Sequence, residues 1–389
     1  MDEDLLNQQV NRKEARLISS YRMSNEYENI RSLINELNSR ETVSFKPMMK
    51  ILSSETEPNV MVISYQDDYL HLVFKSQVDG TFNEVLHETV VGLFGINQLQ
   101  SPFFAKVLSG SYPSLCPKLI TKETSKNCAF VVYEFISGKT LHDWLNIHHY
   151  ILSDTIGRDL LLIVKDIIHA LHYANKTVDF THYDLHLQNI IITESSRKYI
   201  PVIIDYGSSH IKYEGEDYGR TLIEGQIYNR EMWYHDIFKV LMAVCYHLDP
   251  QVVRLLLIIE RMNLVKNSMQ LSNKEYNLKT KISKDITDDN LEQMKSEIKE
   301  LSNRINDINL RLEEINNLEQ TKSGSIVNVI PFILGMLSFF ITDINTNYIR
   351  WYQQNVSSYF APVDLLPEQN FGTFDEFVSY SDAIIDRNI

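Results

Sequence analysis

The chain has 389 residues, 44% apolar and 23% charged, ordinary globular proportions that exclude global disorder. Its 37 Lys and Arg against 51 Asp and Glu give a net charge of −14, which argues against a sequence-independent nucleic-acid binder, since that needs a basic footprint. The three cysteines, Cys116, Cys128 and Cys245, form no CxxC pair, so neither a disulfide framework nor a zinc ribbon is expected, and a reducing, cytoplasmic setting is the default.

The opening MDEDLLNQQVNRKEAR has no basic stretch followed by an apolar run, so no secretory signal is expected. Ile30, Leu33, Ile34 and Leu37 recur at helical spacing and predict a helix over 26–39 within a helical extension, 1–41. The texture then turns to short β-type runs, MKIL, NVMVISY and YLHLVFK, with a hairpin turn at Gln66, Asp67 and Asp68. FNEVLHETVVGLFGI (82–96) returns to helical periodicity, 101–140 holds further strands ending in AFVVYEF, and 141–175 is helical again. Two strand-like runs, FTHYDLHLQNIII and YIPVIIDYGSS, flank a polar turn, and WYHDIFKVLMAVCYHL is an apolar helix.

Residues 266–323 are rich in Asn, Lys, Glu and Ser. Leu291, Met294, Ile298, Leu301, Ile305, Ile308, Leu312 and Ile315 form an unbroken 3-4 heptad seam, which predicts a coiled coil within or between chains. The apolar stretch 326–341 (IVNVIPFILGMLSFFI) is interrupted by Asn328, Pro331 and Gly335. It is shorter than the roughly 20 apolar residues a spanning helix needs, so a core helix is expected and a membrane anchor is the rival.

Chemistry concentrates in His182-Tyr183-Asp184-Leu185-His186-Leu187-Gln188-Asn189, which matches the pattern H-x-D-L-x-x-x-N. Asp205-Tyr206-Gly207 begins 16 residues after Asn189, behind the apolar run 202–204. Phosphoryl transfer needs positioning and charge stabilisation more than covalent work, and these residue types supply both. Asp184 is the candidate base for an acceptor hydroxyl. Asn189 and Asp205 are oxygen donors of the kind Mg2+ takes, and Gly207 is expected to allow a tight turn behind Asp205. Other chemistry is poorly supported: His148 and His149 are not at ligand spacing, there is no G-x-S-x-G, and Trp144, Trp233 and Trp351 are expected in core or interface positions.

From about 69 to 241 the sequence resembles the protein-kinase superfamily. More narrowly, HETVVGLFGIN, HYDLHLQNIII, IDYGSS and HDIFKVL resemble serine/threonine kinases of large nucleocytoplasmic DNA viruses. The resemblance implies an α+β, bilobal kinase-like fold with ATP and Mg2+ as cofactors. The N-lobe would run over about 42–134, the C-lobe from 137 to 265 and again within 324–389, and the 266–323 coiled coil would be an insertion. It implies that Lys75 clamps the ATP phosphates with Glu88 (Glu84 competing), that Glu134 and Ile136 present backbone groups to adenine, and that Asp236 anchors the catalytic loop. The implied activity is phosphorylation of serine or threonine in proteins, in the host cytoplasm if the source is viral, with virion packaging open. The implied partners are a protein substrate or small-molecule acceptor and a copy or partner helix through 291–315, with neither nucleic acid nor membrane.

Four departures qualify the resemblance. No glycine-rich loop precedes Lys75; the candidate turn at 53–59, SSETEPN, carries two acids that would repel phosphate. Tyr183 stands where regulated kinases have Arg, which speaks against a phosphate-switched activation loop. His186 replaces the lysine two residues after the base, an order closer to aminoglycoside and choline phosphotransferases; it is a proton-dependent phosphate partner. Only 30 residues separate Asp205 from Asp236, and they hold no A-P-E. The alternatives are therefore a small-molecule phosphotransferase and an inactive kinase-like scaffold acting through its coiled coil.

Overall fold

The computed structural model describes residues 12–18, 45–47, 59–65, 70–78, 84–115, 127–148, 154–195, 198–219, 232–282, 288–320, 329–341, 344, 349 and 372–387. The fold is mixed α and β. The expected helix at 26–39, the MKIL strand and residues 53–58 of the acidic turn lie outside the described residues.

Two compact units emerge. The first comprises Met1–Trp144, Arg158–Cys245 and Pro331–Ile389; the second comprises Leu145–Gly157 and Tyr246–Ile330. In the first unit a short helix α1 (residues 12–18) precedes an antiparallel five-stranded sheet of β1 (Phe45–Pro47), β2 (Asn59–Tyr65), β3 (Leu70–Val78), β4 (Val107–Leu115) and β5 (Asn127–Glu134), in the order β1-β2-β3-β5-β4. β2 and β3 pair antiparallel on either side of the turn read from the sequence. Alternation along β3 buries Leu72, Phe74 and Ser76 on one face and leaves Lys75 half-buried on the other.

Helix α2 (Glu84–Val90) lies across this sheet, and all its residues after Glu84 are buried. Glycines permit the close approach: a Cβ on Gly110 would fall 2.2 Å from Thr89, and one on Gly92 would fall 2.0 Å from Val107. α2 runs on through a π turn (Val91–Gly95) and a 3-10 turn (Ile96–Leu99). Asn97 then brackets the Val107 backbone, donating to its carbonyl at 2.7 Å and accepting from its N–H at 3.2 Å.

The helical run expected over 141–175 is two helices, α3 (Leu141–His148) and α4 (Asp154–Val178). A three-stranded sheet follows, β6 (Lys139–Thr140), β7 (Ile190–Ser195) and β8 (Lys198–Ile203), then the hairpin β9 (Ile211–Tyr213) and β10 (Glu216–Tyr218), and helix α5 (Trp233–Leu248). The 326–341 stretch contains α8 (Ile330–Leu337), with Ile333, Met336 and Leu337 fully buried. Among the described residues no helix is long and apolar enough to cross a membrane. The last helix, α9 (Phe374–Asp386), begins with a reciprocal Thr373–Glu376 capping box and stacks Phe374 on Trp233 at 4.8 Å. Its Asp375, Asp382 and Asp386 face a basic stripe of α4, with Lys165, His169, His172 and Lys176 at 2.6–2.9 Å from one of them.

The second unit carries two 33-residue helices, α6 (Pro250–Ile282) and α7 (Asp288–Gln320). The short connection makes them antiparallel, and Lys274 meets Glu297 at 2.8 Å, each eight or nine residues from that connection. Met294, Ile298, Leu301, Ile305, Ile308 and Leu312 of the heptad seam are buried or half-buried. α6 supplies Leu264, Ser268, Leu271, Glu275 and Leu278 at matching 4-3-4-3 spacing. The two helices pack on each other within this unit.

Candidate active site

Lys75 projects from the middle of β3, paired in register with Val60 and Val131, and its ammonium lies 2.8 Å from Glu88 and 2.7 Å from Asp205. Strand, helix and post-β8 turn thus deliver one cation and two carboxylates to a single point. Glu84 belongs to the same helix, but Glu88 is the residue that meets Lys75. Burial alone would lower the Lys75 pKa, and Asp205 and Glu88 together outweigh it, so the ammonium is held charged. Burial pushes the Glu88 carboxyl up to about 7, against the pull of Lys75 and with a push from Asp205. Enclosure also pushes Asp205 upward, but Lys75 prevails and holds it at about 2. Its side chain keeps 42% of its surface open.

The loop from His182 to Asn189 is gripped from beneath by α5. Buried Asp236 accepts from the His182 N–H at 2.6 Å and the Tyr183 N–H at 3.0 Å, the anchoring position expected for it. Burial raises its pKa, but bonds from His235 and the His182 backbone leave it lowered, so it stays ionised. Tyr183 takes a left-handed backbone (φ 63°), a conformation that needs such support in a non-glycine residue. Asn189 donates to the Asp184 carbonyl at 3.0 Å, and the Asn189 carbonyl accepts from Ile204 N–H at 3.0 Å, tying the loop to the segment that leads from β8 to Asp205. His186 lies 3.9 Å from the Asp184 carboxylate, and burial lowers its pKa despite that acid.

Sequence reasoning missed several supporting residues. Tyr206, fully buried, donates its hydroxyl to the carbonyls of Ala105 and Ile203, 2.9 Å each. That explains a tyrosine where a phenylalanine would otherwise do: a buried hydroxyl needs partners, and two carbonyls provide them. Its ring lies 6.2 Å from that of Tyr133, whose hydroxyl donates to Glu88. The tight turn expected after Asp205 spans Gly207 and Ser208, with the Ser209 N–H donating to the Tyr206 carbonyl at 3.0 Å, while the positive φ (65°) falls on Asp205; a Cβ on Gly207 would meet only ordinary contacts at 3.6 Å or more. Short polar side chains tolerate this left-handed region better than most, so the turn does not require the glycine.

A second missed group is Glu14 with His87. Both are fully buried, the two side chains bond, and the other ring nitrogen of His87 lies 2.6 Å from the Ser209 carbonyl. Lys13 of the same short helix reaches Glu216 and the Asp217 carbonyl, each at 2.9 Å, and covers the Tyr218 ring. Helix α1 is thus fastened to α2 and to the β9–β10 hairpin.

The two residues expected at the adenine edge lie at the end of β5. Glu134 binds inward: its carboxylate accepts from Lys106 N–H at 2.8 Å, and its own N–H donates to the Lys106 carbonyl at 3.1 Å. Ile136 is half-buried two residues on. Among the described residues no group of three or more His, Cys, Asp or Glu forms a metal cage.

The chain is 28% identical over 190 residues to the protein named Probable kinase 098L of Invertebrate iridescent virus 3, covering 44% of this chain and 33% of that protein. It is 29% identical over 162 residues to Uncharacterized protein 038R of the same virus, covering 34% of this chain and 29% of that one. The chain thus spans a third or less of the length of these curated relatives. No protein-family model matches it.

Proposed function

We propose that this chain transfers the γ-phosphoryl group of ATP, with Mg2+, to serine or threonine hydroxyls of protein substrates, on a bilobal kinase-like fold. The observation that carries the reading is the meeting of Lys75 with Glu88 and Asp205 at 2.8 and 2.7 Å, beside a loop that presents Asp184 and Asn189. The similarity to a viral protein named as a kinase supports phosphoryl transfer in general.

Each residue has a defined task on this reading. Lys75, oriented by Glu88, presents its ammonium to the ATP phosphates. The acceptor hydroxyl oxygen bonds to the γ-phosphorus as the bond to the β–γ bridging oxygen breaks, the electron pair leaves with ADP, and the hydroxyl proton passes to Asp184. Asp205, ionised throughout the physiological range, and the Asn189 side-chain carbonyl are the hard oxygen donors that would hold Mg2+. When bound, the ion would neutralise phosphate charge. A cytoplasmic setting fits ATP as donor.

A second reading, a small-molecule acceptor, is favoured by His186 at 3.9 Å from Asp184 in the D-L-H order. Incubation with γ-labelled ATP, Mg2+ and a panel of generic proteins, followed by phosphoamino-acid analysis, separates the two. Phosphoserine or phosphothreonine that vanishes in Asp184→Asn supports the first reading. Label appearing only in aminoglycoside or choline-like acceptors would replace it with the second.

A further inference from the structure

The carboxylate of Asp184 is flanked on both sides. His186 stands 3.9 Å from Oδ2, and Lys239, from helix α5, stands 3.8 Å from Oδ1. Lys239 also donates to the Tyr183 carbonyl at 3.2 Å, and its side chain is only 10% exposed. It follows Asp236 by three residues, so both project from one face of α5. Asp236 holds the N–H groups of 182 and 183, while Lys239 holds the carbonyl of 183 and faces the carboxylate of 184. One helical turn therefore fixes three consecutive residues, including the strained Tyr183.

Resting on the proposed phosphoryl transfer, we infer that Lys239 is a positioning residue for the reaction: it sets the orientation of the Asp184 carboxylate and supplies a fixed positive charge on the acceptor side. A carboxylate that must receive a hydroxyl proton during in-line attack has to be held within a fraction of an ångström of its productive place. Burial disfavours the ionised forms of His186 and Lys239 alike, with Asp184 and Asp236 opposing it at Lys239, so what separates the two is how each is anchored. Lys239 comes from a rigid helix core, between the fully buried Phe238 and Val240, and cannot swing away with the loop. The other ionisable groups around it are Asp236, His235 and His186, with Asp184 itself. No basic residue of the loop from 182 to 189 other than its two histidines could substitute for it.

The test is steady-state transfer from ATP by the full chain, comparing wild type, Lys239→Met, Lys239→Arg and Asp184→Asn. Removing a group that positions the base should lower kcat about 100-fold in Lys239→Met, with KM for ATP unchanged, because the nucleotide clamp at Lys75 is untouched. Lys239→Arg, which restores the charge, should recover most of the rate. If Lys239→Met does not fold, Lys239→Gln and Lys239→Arg give the same comparison, the amide keeping the bond to Tyr183 without the charge. An unchanged kcat, or a raised KM for ATP at constant kcat, overturns the inference while leaving phosphoryl transfer standing. Transfer absent from wild type overturns both.

Discussion

Glu14 and His87, 73 residues apart in the chain and both fully buried, bond side chain to side chain. His87 precedes Glu88, and its second ring nitrogen reaches the Ser209 carbonyl, four residues past Asp205. The pair therefore couples a short N-terminal helix to both acids that hold Lys75. Removing one partner of a buried hydrogen-bonded pair leaves the other unsatisfied and costs about 1–3 kcal/mol. His87→Ala should accordingly lower unfolding stability by about that amount and raise KM for ATP, as Glu88 loses its fixed place. Chemical denaturation and ATP titration of the variant check this; unchanged values for both would show α1 to be a passenger.

The raised pKa of Glu88 sets a pH dependence with a definite sign. The folded protein holds this proton more tightly than the unfolded chain does, so the contribution to stability is full below about 4.5 and is lost as pH rises through about 7. The pair with Lys75 needs the ionised carboxylate and strengthens over the same rise. Between about pH 6 and 8, thermal stability should fall while ATP affinity improves, and Glu88→Gln should flatten both profiles relative to wild type. Asp205 works in the opposite sense, with its contribution present above 3.8 and lost as pH falls through about 2. Melting and nucleotide-binding curves on the two proteins decide the matter; matching profiles would contradict it.

Tyr206→Phe removes the donor for two buried carbonyls while keeping the ring. The expected loss is about 1 kcal/mol, with transfer activity retained. Tyr206→Ala also opens a cavity between Tyr133, Phe180 and His182, which should cost about 3–5 kcal/mol and depress kcat. Urea unfolding of the two variants measures the difference. Equal losses would mean that the ring contributes little.

Leu301 is the fully buried centre of the α7 seam, 3% exposed. Leu301→Asp places a charge there and should unravel the α6–α7 hairpin, lowering helical circular dichroism, with the transfer rate preserved because no candidate site residue lies between 246 and 330. A collapse of kcat in a protein that keeps its first unit folded would show that the hairpin contributes to the chemistry.

Local patterns in the sequence were enough to place much of this structure. The alternation and turn residues around Gln66 announced the β2–β3 hairpin, and the H-x-D-L-x-x-x-N spacing located Asp184 and Asn189. Apolar periodicity found α2, α4 and α5. What escaped were contacts whose partners lie far apart and carry no motif. Glu14 read as one charge in a polar segment, and nothing local links it to His87. Lys239 belongs to no motif, although its three-residue offset from Asp236 was a usable signal once Asp236 was taken to face the loop. The turn expected behind Asp205 is present across Gly207 and Ser208, but the positive φ falls on Asp205, which residue type alone does not reveal.

The central claim is that Lys75, Glu88, Asp184, Asn189 and Asp205 together form a phosphoryl-transfer site. Its most direct test is release of γ-label from ATP to acceptor by wild type, Asp184→Asn and Asp205→Asn, each with Mg2+ and with chelator. The account predicts transfer by wild type with Mg2+ alone, loss of turnover with nucleotide still bound in Asp184→Asn, and loss of Mg2+-dependent binding and turnover in Asp205→Asn. Transfer that persists in both variants, or wild-type protein that binds no nucleotide with or without Mg2+, would contradict it.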